Sequence, residues 1–230
     1  MSAVLAIDVG GTHVKMRTSA SEERREFESG PMLTATAMAE GVKRLTSDWS
    51  FDRATIGLPT PIVDNRPAHE PVNLGAGWVD FDFQAACGVP TKLINDAAMQ
   101  AVGSYAGGRM LFLGLGTGLG SCFIVDHRIV PMELAHLPYR KGRTFEDYVG
   151  LRGMERLGKK SWRKHVSAVA SILGAALLPD EIVFGGGNAQ RLKELPPHCR
   201  LGDNTLAFIG GFRLWEREWM QPAPHRADSP

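Results

Sequence analysis

Residues 4–12 read Val-Leu-Ala-Ile-Asp-Val-Gly-Gly-Thr, and residues 110–120 read Met-Leu-Phe-Leu-Gly-Leu-Gly-Thr-Gly-Leu-Gly. Each is a buried-strand pattern that runs into a glycine-rich turn carrying a threonine, and each is followed by a second strand pattern, 13–19 and 121–126. Glycines in such turns let backbone N–H groups converge on an anion with no Cβ in the way. Two such turns predict two halves of the chain facing a shared phosphate. A lone glycine hairpin is common in any β-rich protein; the pairing carries the phosphate reading.

Outward from the first turn, residues 32–49 read as a helix, 54–58 as a short buried strand, 60–80 as a long Pro/Asn/Gly loop, and 91–94 as another strand. Asn95-Asp96 opens a helical stretch to about Tyr105. After the second turn come helical patterns at 145–158 and 161–177 and a strand at 181–184 ended by Gly185-Gly186-Gly187. A helix is expected to start over 188–192 and a closing helix to span 205–220. The expected organisation is an N-terminal α/β lobe, 1–106, completed by that closing helix, a C-terminal α/β lobe, 107–204, and a disordered tail, 221–230.

The chain has 230 residues, 43% hydrophobic and 22% charged, with a formal net charge of +1. That balance argues against nucleic acid or a membrane surface as a partner. Cys87, Cys122 and Cys199 are widely spaced, which argues against a disulfide framework and a thiolate zinc site. No run approaches the roughly 18 apolar residues of a membrane helix, and no basic leader is visible, so a cytoplasmic protein is expected.

Glycine spacing around 114–120 differs from the dinucleotide fingerprint, and a strand rather than a helix follows. No Walker A sequence occurs. Asp8, ending a buried strand beside the first turn, suits Mg²⁺ held through water; it equally suits a turn cap. Thr12 and Thr117 are candidate phosphate donors, with Lys15 close by. Asp96 is a candidate general base and Asn95 a candidate cap or ligand. Glu133, His136 and Glu146 are the kinds of group that read sugar hydroxyls, although spacing alone does not assemble them.

DVGGT at 8–12, GLPTP at 57–61, NDAA at 95–98, LGLGTGLG at 113–120, ELAH at 133–136 and FGGG at 184–187 resemble the ROK sugar kinases in order and spacing. Residues 137–150 and 158–162 look most like the polyphosphate glucokinase branch. The resemblance implies an actin-like ATPase (ribonuclease H-like) fold, two similar α/β lobes around a cleft. It implies phosphoryl transfer from polyphosphate or ATP to the 6-hydroxyl of glucose. Asp96 would act as base, and Asn95, Glu133, His136 and Glu146 would bind the sugar. Gly10, Gly11, Thr12, Gly116, Thr117 and Gly118 would hold phosphates, and Gly185, Gly186 and Gly187 would lie by the nucleotide. Asp8 would place Mg²⁺, no zinc is expected, and a homodimer is implied.

Two departures touch the sugar site. Ala135 replaces the family's usual glycine in ELGH, a change that costs little unless that position needs φ > 0. Thr60 stands where the family usually has glycine. Mannose, N-acetylglucosamine or fructose as acceptor, or a drifted sugar sensor, are the alternatives. Residues 138–165 carry nine Lys or Arg against three acidic residues. Lys141, Arg143, Lys159 and Lys160 are therefore candidates for a polyphosphate track, set against an ordinary solvated helix face.

Overall fold

The computed structural model describes residues 3–219. The tail expected at 221–230 lies outside the described residues. The first half contains β1 (Val4–Val9), β2 (His13–Thr18), β3 (Arg24–Glu28), α1 (Ala35–Leu45), β4 (Arg53–Leu58), the small hairpin β5 (Ile62–Val63) and β6 (Arg66–Pro67), α2 (Phe83–Cys87), β7 (Thr91–Asn95) and α3 (Asp96–Ser104). The second half contains β8 (Arg109–Leu115), β9 (Leu119–Val125), β10 (Arg128–Met132), β11 (Pro138–Arg140), β12 (Arg143–Thr144), α4 (Glu146–Val149), α5 (Leu151–Leu177), β13 (Glu181–Gly185), β14 (Cys199–Leu201) and α6 (Leu206–Arg213).

The two principal sheets repeat one topology. Their strand orders are β3-β2-β1-β4-β7 and β10-β9-β8-β13-β14. In each, the first three strands are antiparallel and the last two add in parallel. The duplication visible in the two glycine turns is therefore a duplication of whole sheets.

Strand parity sorts the core into layers. Leu5, Ile7, Val9, Ile56 and Leu58 face outward and pack with Met38 and Val42 of α1 and Phe83 of α2. Leu111, Leu113 and Leu115 face outward from the second sheet onto Trp162, Val166 and Leu173 of α5. The opposite faces meet α3 and α6. Met110, Phe112, Cys122, Ile124 and Val183 pack with Met99, Val102 and Ala207. On the first sheet, Ala6 and Thr55 lie directly against Gly211 of α6.

The helices α3 and α6 cross backbone to backbone. A Cβ on Gly103 would lie 1.8 Å from the Leu206 carbonyl oxygen, and one on Gly210 would lie 1.8 Å from that of Met99. Side chains then lock the crossing. Arg213 Nη1 donates to the carbonyls of Val102, Gly103 and Tyr105, capping the C-terminal turn of α3. Thr55 Oγ1 donates to the Gly211 carbonyl at 2.8 Å and accepts from Trp215 Nε1 at 2.9 Å.

Several expected elements change. The helix expected over 188–192 is only a 3₁₀ turn, Ala189–Arg191. The Asn188 N–H bonds the Leu115 carbonyl instead of opening a helix. The two helices expected at 145–158 and 161–177 are a short α4 and a long α5, which kinks at Gly158 (φ 73°, ψ 153°). The closing helix stops at Arg213 and gives way to a 3₁₀ turn at Arg217–Trp219. The loop at 60–80 carries the small β5–β6 hairpin.

Gly210→Ala should lower the unfolding free energy by about 3 kcal/mol, because neither backbone can yield to the new methyl. Gly174→Ala is the contrast. Its Cβ would meet only Ile182 Cδ1, at 3.5 Å. It should be neutral or stabilising by up to about 1 kcal/mol. Urea denaturation of the two variants checks the pair.

Candidate active site

Parallel strands β1, β4 and β7 end at one edge of the first sheet, the edge at which open α/β sheets bind ligands. Pairing across that edge aligns Asp8 with Gly57, Gly57 with Ile94 and Leu58 with Asn95. Asp8 shares the parity of Ala6, so it faces α3 rather than α1. Asn95 caps α3, its side chain accepting from the Ala98 N–H at 3.2 Å. Its Nδ2 donates to the Thr60 carbonyl at 3.4 Å, and Thr60 Oγ1 donates to the His69 carbonyl at 2.9 Å. The threonine that departs from the family pattern thus braces the loop that holds Asn95.

Asp96 sits over Gly57. A Cβ on Gly57 would lie 2.6 Å from Met99 Cε and 3.5 Å from Asp96 Cα. The missing side chain lets α3 start close to the sheet and brings Asp96 within electrostatic reach of Asp8. Asp96 Oδ1 accepts from the Ala97 N–H at 2.7 Å. Burial, then the Asp8 charge and more weakly Glu133, raise its pKa to about 7 against the pull of backbone N–H donors. Burial raises Asp8 to about 6, opposed by Lys15. Lys15 is the direct cross-strand partner of Asp8, so its stem starts from the same face.

The other sheet supplies the facing groups. A Cβ on Gly120 would lie 2.7 Å from Ala97 Cβ, so the β8–β9 hairpin rests on the first turn of α3. Glu133 and His136 are exposed on a 3₁₀ turn, with Oε2 and Nε2 3.7 Å apart. Ser121 Oγ holds that turn to β9, donating to the Met132 carbonyl and accepting from the Leu134 N–H. Ala135 is buried and lies outside the left-handed region, so its extra methyl meets no backbone penalty.

At the second glycine turn, the Gly116 N–H donates to the Gly118 carbonyl. Asn188 Nδ2 donates to the Gly116 carbonyl at 3.1 Å, and the Leu151 N–H donates to that of Thr117 at 3.0 Å. Glu146 Oε2 accepts from the Leu119 N–H at 3.2 Å. The triple glycine is adjacent. Gly186 (φ 80°) would place a Cβ 2.6 Å from the Leu115 carbonyl oxygen, and its N–H donates to Asn204 Oδ1. Gly185 is buried under the Phe112 ring, while Gly187 is open. At the first turn the Gly10 N–H donates to the His13 carbonyl, and Gly11 and Thr12 are exposed.

The structure thus gathers Asp8, Lys15, Asn95, Asp96 and Glu133 with His136 in one group. It gathers Gly116–Gly118, Glu146 and Gly185–Gly187 in a second, joined to the first through Gly120 and Ala97. Lys141 and Arg143 lie on the β11–β12 hairpin and Lys159 and Lys160 just past the α5 kink, all exposed. Tyr139 Oη and His165 Nδ1, 3.2 Å apart, tie the hairpin to α5. The sequence alone assigns no role to Gly57, Asn188, Asn204 or Arg152, and marks Thr60 only as a departure at the expected sugar site. An apolar cavity of about 300 Å³, lined by residues such as Met38, Trp49 and Phe81, lies on the opposite face of the first sheet, away from the carboxylates. Among the described residues no helix is long and apolar enough to cross a membrane.

No family model matches the chain. A polyphosphate glucokinase of Mycobacterium leprae is 22% identical over 207 residues, 80% of this chain. The chain spans 63% of that relative's length. The crystal structure of an inorganic polyphosphate/ATP-glucomannokinase from Arthrobacter sp. strain KM superposes with a TM-score of 0.75 at 24% identity, covering 91% of this chain and 96% of the other. A ROK-family glucokinase from Streptomyces griseus, in complex with glucose and AMPPNP, superposes with a TM-score of 0.73 at 15% identity, covering 91% and 97%. The chain has the actin-like ATPase fold of these neighbours.

The raised pKa of Asp96 makes a stability prediction. Unfolded, the carboxyl titrates near 3.8; folded, at about 7. Between those values the folded state binds more protons, so stability falls as pH rises through that window and levels off above it. Asp96→Asn should lose this slope and exceed the wild type at pH 8 by on the order of 2 kcal/mol. Urea titrations from pH 5 to 8 decide it; parallel curves for the two proteins would contradict the buried-acid assignment.

Proposed function

We propose that this chain is a sugar kinase that moves a phosphoryl group from polyphosphate or ATP to the 6-hydroxyl of glucose. One observation carries the reading: Asp96, half-buried at the sheet edge where Asp8 also ends its strand, has its pKa lifted to about 7. A general base works best when its pKa lies near the operating pH. The names of the relatives support the class of reaction, and the glucomannokinase among the neighbours supports mannose as a second acceptor. We place the acceptor site between the N-terminal lobe, 1–106 with α6, and the C-terminal lobe, 107–204.

In this mechanism Asn95, Glu133, His136 and Glu146 hold the sugar hydroxyls and aim the 6-hydroxyl at the donor. Asp96 takes its proton as the oxygen bonds to phosphorus, and the bond from phosphorus to the leaving oxygen breaks. The glycine turns at 10–12 and 116–118 cradle phosphate oxygens through backbone N–H groups, with Thr12, Thr117 and Lys15 beside them. Gly185–Gly187 face the nucleotide when ATP is the donor. Asp8, whose charge raises the proton affinity of Asp96, would hold a hydrated Mg²⁺ through water. When bound, Mg²⁺ neutralises donor phosphate charge. A cytoplasmic homodimer belongs to the same proposal.

Asp96→Asn should lower kcat by about 10²–10⁴-fold while sugar binding persists. A coupled assay for glucose 6-phosphate, paired with calorimetric glucose titration, measures both. Turnover of the wild type should rise with pH through about 7 as Asp96 ionises. For the basic track, Lys159→Glu with Lys160→Glu should raise KM for polyphosphate about tenfold more than KM for ATP, because a polyanion meets many cations at once. Equal effects on both donors would remove the track from the proposal.

A further inference from the structure

The second glycine turn already holds an anion, and it comes from the chain itself. Glu146 Oε2 accepts from the Leu119 N–H at 3.2 Å. The same oxygen lies 2.3 Å from where a Cβ on Gly118 would be, so glycine at 118 is what lets the carboxylate settle into the turn. The carboxylate's support is fixed. Glu146 opens α4, and its carbonyl accepts from the Gly150 N–H. A Cβ on Gly150 would lie 2.9 Å from that carbonyl oxygen and 3.0 Å from the Thr117 carbonyl oxygen, so corner and turn touch directly. One cation lies beside the pair: Arg152 Nη2, 3.8 Å from Glu146 Oε1 and largely exposed.

A carboxylate bound to a backbone N–H of this turn stands where a phosphate oxygen would bind, and two anions cannot share the place. The side chain is half-buried, and rotation about its own side-chain bonds would move the carboxylate without moving the turn, which Asn188 and Leu151 hold. We propose that Glu146 plugs the second glycine turn as an internal anion, and that the acceptor sugar draws the carboxylate off and so admits the donor phosphate. The sugar's part rests on the kinase reading above, in which Glu146 binds a sugar hydroxyl. Once Glu146 leaves, the Leu119 N–H is free and Arg152 keeps only the weaker pull of Asp147, so the turn changes from anion-filled to anion-seeking. The consequence is that donor is held only when an acceptor is present, and water has little chance to take the phosphoryl group.

The test is calorimetric titration of the whole chain with inorganic tripolyphosphate, with and without glucose. Wild type should bind tripolyphosphate about tenfold more tightly with glucose than without. Glu146→Ala should bind it without sugar about as tightly as wild type does with sugar. Glu146→Gln removes the charge yet keeps an acceptor for Leu119; it should gain part of that affinity, and it serves if the alanine variant proves unfolded by circular dichroism. Equal or weaker sugar-free binding by the charge-removed variants would overturn the plug and make Glu146 a strut for the turn. A wild type that binds tripolyphosphate neither with nor without glucose would overturn the plug, and the kinase reading falls separately if the coupled assay finds no glucose 6-phosphate with either ATP or polyphosphate.

Discussion

The position of α3 is set by side chains that are missing. Gly57 lies beneath its first turn, Gly120 beside Ala97, and Gly210 against the carbonyl of Met99, while Gly103 is the helix's own contribution to the crossing with α6. At each of these places a Cβ would come within 3 Å of a neighbouring atom. The helix is thus gripped by the first sheet, the second sheet and α6 at backbone distance. Asp96 is its first residue and inherits that fixity. The proton affinity of Asp96 follows from the same grip, since close packing strips much of its hydration and brings the charges of Asp8 and, more weakly, Glu133 to bear on it.

Much of the architecture could be read from apolar runs that end in glycine. β1, β4, β8, β9 and β13 are interior strands, buried along much of their length, and an uninterrupted run marks such strands; β7, although it ends the first sheet, carries the same kind of apolar run. The margins could not be read. β3 is Arg-Arg-Glu-Phe-Glu with no fully buried residue, β10 contains Pro131, and β14 is three residues long. Edge strands are short, charged or proline-bearing because those features keep them from pairing with other chains. The features that make a safe edge also erase the strand signal.

The candidate site divides along a similar line. Asp8, Asn95, Asp96 and the glycine turns advertise themselves, because carboxylates and glycines at strand ends are unusual locally. The role of Gly57 does not, since it depends on a helix that begins 39 residues later. Asn188 looks like a helix cap in sequence; in the fold its amide is spent on the Gly116 carbonyl, and no helix follows. Thr60 reads as damage to a sugar loop until its hydrogen bonds place it behind Asn95. Interactions between distant segments decide all three.

The duplication also explains why the two halves carry different charge. Two residues before the first turn's leading glycine stands Asp8; two residues before Gly116 stands Gly114. Strand parity aims both positions at α3. In the first sheet that space holds a carboxylate next to Asp96. In the second, a Cβ on Gly114 would already approach Phe112 Cε1 at 3.4 Å and the backbone of Gly120 at 3.7 Å, and Gly120 is pressed on Ala97. The second turn instead receives its acid from Glu146, which arrives from outside the sheet on α4. One turn therefore has a carboxylate on its own strand, and the other receives one from a separate helix. Equal topology with unequal charge is what a site needs if it is to bind two different substrates at one seam.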